Sequence, residues 1–94
     1  MRESAIEKRI CDHARSKGWI VLKLSGANHD AGKPDRLFLR NGQAVFMEIK
    51  AKGACPTALQ ERWLTSLIDQ GFTAVWTDNV EDGCRVIDQL TTKR

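Results

Sequence analysis

The sequence predicts an α/β protein, a mixed sheet flanked by helices, and three observations carry that expectation. Amphipathic helical spacing recurs at both ends and in the middle of the chain, with short strand-like runs between. The two central runs, Asp35 to Arg40 and Gln43 to Lys50, are separated by Asn41-Gly42, the dipeptide best suited to the two positive φ angles of a type I′ turn. Both faces of those runs are largely apolar: Leu37, Leu39, Ala44 and Phe46 alternate with Phe38, Val45, Met47 and Ile49. A sheet apolar on both faces needs helices on both sides.

In chain order, Ser4 to Lys17 reads as the first helix, with Ile6, Ile10 and Ala14 in one stripe and Gly18 as its stop. Trp19 to Leu24 has strand composition and belongs at the side of the hairpin. Ser25 to Lys33 is polar, contains two glycines and suits a loop beside the hairpin. His29 in that loop is either a phosphate contact or, the favoured reading, a solvated residue, and Asp30 lies beside it. Pro56 to Gln70 is the second helix, with Leu59, Trp63, Leu64, Leu67 and Ile68 as its expected buried stripe. Phe72 to Thr77 is the last strand, Asp78-Asn79 a turn, and Val80 to Leu90 a final helix weakened by Gly83. Trp19, Trp63 and Trp76 are candidates for an interface, with core packing favoured for at least two of them.

The hairpin carries the chemistry. A two-residue turn makes Arg40 face Gln43, and counting outward Asp35 faces Glu48. Glu48, Lys50 and Asp35 then share one face of the sheet. Paired carboxylates with Cβ atoms about 5 Å apart repel unless a cation lies between them, and Mg²⁺ or Mn²⁺ is commonly held by one or two carboxylates plus substrate phosphate. Lys50 adds a positive charge that orients water or stabilises a phosphate in flight. Arg36 and Arg40 project from the other face as peripheral, solvated charges.

Pro34-Asp35, twelve intervening residues, then Glu48-Ile49-Lys50 resembles the PD-(D/E)xK nuclease superfamily. Gly32-Lys33-Pro34-Asp35 before the first strand of the hairpin and Gln60 at the start of the next helix are similar to the VRR-NUC family, and the resemblance spans nearly the whole chain. It implies a restriction-endonuclease-like αβββαβ core in a single domain, residues 1–94. It also implies that Asp35, Glu48 and the main-chain carbonyl of Ile49 hold Mg²⁺, that Lys50 positions or deprotonates water, and that Gln60 approaches the catalytic centre. Glu7 would be the first-helix acid facing a second metal, with Glu3 as its substitute. The residues alone leave other roles open, because Ser4-x-x-Glu7 and Thr57-x-x-Gln60 each also spell a capping box.

Composition narrows the setting. A net charge of +3 and a pI near 9.0 give weak support to an anionic partner. The three cysteines, Cys11, Cys55 and Cys84, form no zinc-ligand pattern and fit a reducing compartment. No apolar run approaches a membrane span, no secretory signal opens the chain, and no small-molecule cofactor is expected. The expected place is the cytoplasm of a bacterial cell or a phage-infected host. Standalone members of the resembled family act as homodimers on branched DNA, cutting four-way Holliday junctions. The competing expectations are a flap or nicking endonuclease that needs a partner, and a catalytically silent DNA-binding module.

Overall fold

The tight bend at Asn41-Gly42 fixes the sheet. In the computed structural model, which describes residues 1–24 and 31–92, Asn41 has φ 48° and Gly42 φ 77°, both in the left-handed region that a type I′ turn requires. Strand β2 (Arg36–Arg40) therefore pairs with β3 (Gln43–Ile49) in the predicted register, Arg40 opposite Gln43 and Arg36 opposite Met47. Strand β1 (Ile20–Lys23) pairs antiparallel with β2, and β4 (Thr73–Thr77) pairs parallel with β3. The result is a mixed four-stranded sheet in sequence order. Parallel neighbours need a crossover, and α2 (Ala58–Asp69) supplies it.

Helices α1 (Glu3–Ser16) and α3 (Val80–Thr91) pack on one face. Ile6, Ile10, Cys11 and Ala14 of α1 and Ile87 of α3 meet Phe38, Val45, Met47 and Ile49 in a core closed to water. Gly83, which weakens the sequence signal for α3, is what lets the two helices approach. A Cβ there would collide with the Ile10 side chain. Trp19 joins this core and donates from Nε1 to Thr91 Oγ1 at 2.8 Å.

Three sequence expectations are corrected here. Helix α2 buries only Leu64 of its expected stripe, leaving Leu59, Trp63 and Ile68 exposed, because one amphipathic helix cannot roof all four strands. Of the tryptophans, Trp19 alone is in the core, while Trp63 and Trp76 are 37% and 41% exposed. Arg36 and Arg40 are not plain solvated charges. Arg36 pairs with Glu7, and Arg40 donates to the carbonyls of Lys17 and Thr91. His29 and Asp30 lie outside the described residues, and among those residues no helix is long and apolar enough to cross a membrane.

Candidate active site

The register continues beyond the last β2 pair to bring Asp35 alongside Glu48. Two bonds fix Asp35: its carbonyl accepts from Leu24 N–H at 2.8 Å, and its Oδ2 accepts from Ile49 N–H at 2.9 Å. Ile49 is thus the residue that aims Asp35, a role the sequence did not signal. Its carbonyl, the expected third metal ligand, stands at the end of β3.

Glu48 is 3% exposed, an unusual setting for a carboxylate, and its Oε1 is buried with no hydrogen-bond partner. Its other oxygen, Oε2, accepts from Gln60 Nε2 at 3.0 Å and lies 4.0 Å from Lys50 Nζ. Burial pushes the Glu48 carboxyl up to about 7, and the Asp35 charge pushes the same way against the pull of Lys50. Burial disfavours the anion and the adjacent carboxylate reinforces it. Glu48 is therefore readily protonated near neutrality.

Gln60 performs both of the roles its sequence position left open. Thr57 caps α2, its Oγ1 accepting from Gln60 N–H at 3.2 Å while Gln60 Oε1 accepts from Thr57 N–H at 2.8 Å. The same Oε1 accepts from Lys50 Nζ at 3.3 Å. One amide thereby ties the start of α2 to Glu48 on β3 and to Lys50 just beyond its end. Helix α2 begins two residues later than its proline suggests, and Pro56 precedes the cap.

The first-helix acids divide differently from the expectation. Glu7 neither completes a capping box, since α1 starts at Glu3 with Arg2 as its uncapped N-cap, nor turns to the carboxylate pair. Its Oε2 accepts from Arg36 Nε at 2.6 Å, with both side chains 17% exposed. The reason lies in the pleat: Arg36 and Asp35 are adjacent and project from opposite faces, so an acid paired with Arg36 is on the side of the sheet away from Asp35. Glu3, one turn earlier, is the acid coupled to the site. Partial burial and then the Asp35 charge raise its carboxyl, while Lys50 lowers it. Among the described residues no three His, Cys, Asp or Glu side chains gather closely enough to hold a metal, and the carboxylates that lie together are Asp35 and Glu48. That pair fits one: the orphaned Glu48 Oε1 is an oxygen donor without a partner, and oxygen donors suit a hard divalent cation.

No family model matches the chain. It is 36% identical over 80 residues, covering 84% of this chain and 85% of the relative, to a protein of Acyrthosiphon pisum secondary endosymbiont phage 1 named "Putative nuclease p44". A solved structure named "VRR_NUC domain protein" superposes with a TM-score of 0.76, covering 95% of this chain and 87% of the other at 20% identity. The three helices and mixed sheet are thus the VRR-NUC fold. The chain belongs to the family of the phage p44 nuclease, on a VRR-NUC fold.

Proposed function

We propose that this protein is a divalent-metal-dependent endodeoxyribonuclease that hydrolyses phosphodiester bonds in branched DNA, working as a homodimer on four-way junctions in the cytoplasm of a bacterial cell or phage-infected host. The observation that carries the reading is the Glu48 carboxylate, buried beside Asp35 with one oxygen unpartnered. A buried anion in such a place is costly unless a cation offsets it. Asp35, Glu48 and the Ile49 carbonyl would hold Mg²⁺ or Mn²⁺. When bound, such an ion neutralises charge on phosphate oxygens and lowers the pKa of water.

The protein's own groups do the rest. Lys50 is held by Gln60 Oε1 and keeps further N–H protons with which to orient water or donate to a phosphate oxygen. Gln60 fixes the spacing of Lys50 and Glu48 by bonding to both. Glu3 is the first-helix acid best placed to act with the pair, given its coupling to Asp35 and Lys50. Glu7 instead anchors α1 to β2 through Arg36.

A domain of this size covers few phosphates, which favours recognition of DNA shape over sequence. A two-fold dimer suits a two-fold junction. The test is cleavage of four-way junction, flap and linear duplex DNA with Mg²⁺, with Asp35→Ala as control and the oligomeric state measured by light scattering. Symmetric junction cleavage by a dimer, absent in Asp35→Ala, is expected. Inactivity on all three substrates overturns the reading. Calorimetric titration with Mn²⁺ checks the metal independently: uptake by the wild type and loss in Glu48→Gln are expected.

A further inference from the structure

Trp76 is the Cα partner of Glu48 in the parallel β3–β4 pair, so its indole projects from the same face of the sheet as that carboxylate. Adjacent strands are about 4.8 Å apart, which makes Trp76 an immediate neighbour of the acid pair. Yet the two residues are treated oppositely: Glu48 is buried, while Trp76 is 41% exposed on the sheet's edge strand. On the same strand Ala74 and Thr77 are buried and Val75 is half-buried. The only aromatic pair among the described residues, Phe46 with Phe72, does not involve it.

The chain leaving β3 is stapled to the end of β4, with Lys50 N–H donating to Thr77 O at 2.9 Å and Gly53 N–H to Asp78 Oδ2 at 3.0 Å. Those two bonds hold exposed Lys52 at the same end of the sheet as Trp76. On the face that Trp76 shares with Glu48 the cation is Lys50, whose Nζ lies 4.0 Å from Glu48 Oε2, and a cation for the backbone with an unstacked aromatic for a base is the combination that binds single-stranded nucleic acid.

We propose that Trp76 is a stacking platform for an unpaired nucleobase next to the Asp35–Glu48 carboxylate pair. It rests on the nuclease reading above and deepens it: the substrate class becomes DNA with an unpaired nucleotide at the cut site, such as a branch point, and continuous duplex is disfavoured because its bases are already stacked. Base–aromatic stacking is worth about 1–3 kcal/mol per base, which converts to about 5- to 150-fold in affinity.

The experiment compares wild type, Trp76→Ala and Trp76→Phe in Ca²⁺, which permits binding without turnover, using a single-stranded oligothymidine, a four-way junction and a linear duplex. Trp76→Ala should bind the first two probes 5- to 150-fold more weakly and the duplex equally well. Trp76→Phe should retain most of the affinity but lose the quenching of tryptophan fluorescence that the oligothymidine causes in the wild type. An abasic site at the branch nucleotide, used on the wild type, should mimic Trp76→Ala and covers the case of a variant that does not fold. Equal losses on all three probes, or no loss on any, overturn the proposal. Cleavage in Mg²⁺ separates the two readings. A wild type that cuts while Trp76→Ala binds and cuts like it sinks the platform alone, whereas Trp76-dependent quenching without cleavage of any substrate sinks the nuclease alone.

Discussion

The two faces of the sheet are built from equally apolar strands and end up in opposite states. Under α1 and α3, Phe38, Val45, Met47 and Ile49 are sealed from water. Across the sheet, Leu37, Leu39, Ala44 and Phe46 are only half-buried, and on β1 Ile20 is 61% exposed. The difference is helix supply: two helices on one side, and on the other α2 alone, packed chiefly on β4. The sealed face stabilises the fold, each buried large side chain being worth about 1.5–3 kcal/mol. The open face leaves room for a polymer, and the carboxylates lie on that side. Glu48 and Ala74 are the sealed residues of its β3–β4 pair, so the site combines an accessible approach with a dry acid.

The sharpest way to separate the faces is one substitution on each. Asp35→Ala should cut DNA cleavage by at least about 10³-fold, roughly 4 kcal/mol of transition-state stabilisation, with little change in the midpoint of thermal unfolding. Phe38→Ala, on the sealed face, should do the reverse. It should lower stability by about 3–5 kcal/mol, as expected for an aromatic side chain removed from a close-packed core, while cleavage by the remaining folded protein stays within a few-fold of normal. Denaturant titration and single-turnover cleavage read the two effects. If both variants fail in both assays, the division between faces is wrong.

A second test uses the proton that Glu48 retains. Its carboxyl titrates at about 7 in the folded protein against 4.5 in the unfolded chain. Between those values the folded state binds the extra proton, so stability falls as pH rises through that window. The contribution is complete below about pH 4.5 and lost above about pH 7, and it amounts to at most about 3 kcal/mol. Urea titrations of the metal-free protein from pH 5 to pH 8 should show this decline. Glu48→Gln should flatten it and be the more stable protein at pH 8. Saturating Mg²⁺ should also flatten it, by favouring the ionised pair. A wild-type profile as flat as that of Glu48→Gln would mean that Glu48 is more hydrated than its burial indicates.

On the sealed face, the close crossing of α1 and α3 should yield a smaller effect. Gly83→Ala forces a methyl into Ile10, and overpacking of this kind costs about 1–3 kcal/mol. Ile10→Val removes the atom nearest to it. The double variant should therefore lose less than the sum of the singles, which thermal unfolding of all four proteins would measure.

What the sequence made legible follows the range of the interactions. The hairpin register was readable because Asn41-Gly42 sets it locally, and Asp35, Glu48 and Lys50 followed by counting. The helices were readable from their apolar spacing. What failed depended on distant partners. Glu7 is equally spaced for a capping box, a metal or an ion pair, and only the arrival of Arg36 from β2 chooses among them. The stripe of α2 looked like core because its spacing is amphipathic, but spacing does not report how many strands one helix must cover. Gly83 read as a weak point in a helix until Ile10 was opposite it. The orphaned oxygen of Glu48 and the aim that Ile49 gives Asp35 are properties of packing, with no signature in the chain.

The smallest expected effect tests where the faces are joined. Gln60 is at once the third residue of the α2 cap and the link between Lys50 and Glu48. Thr57→Ala removes the cap hydroxyl but leaves the Thr57 backbone N–H that binds Gln60 Oε1. It should cost about 1 kcal/mol of stability and change cleavage less than about threefold. Gln60→Ala removes the cap partner and the link together. Its stability loss should be comparable, but its cleavage should fall further, about 10- to 100-fold, the range for losing a group that orients those at a metal site. The comparison is made by thermal unfolding and single-turnover rates measured on the same preparations. Parallel losses of activity in the two variants would mean that the cap alone positions Lys50 and Glu48, and that the amide's two bonds across the site add nothing.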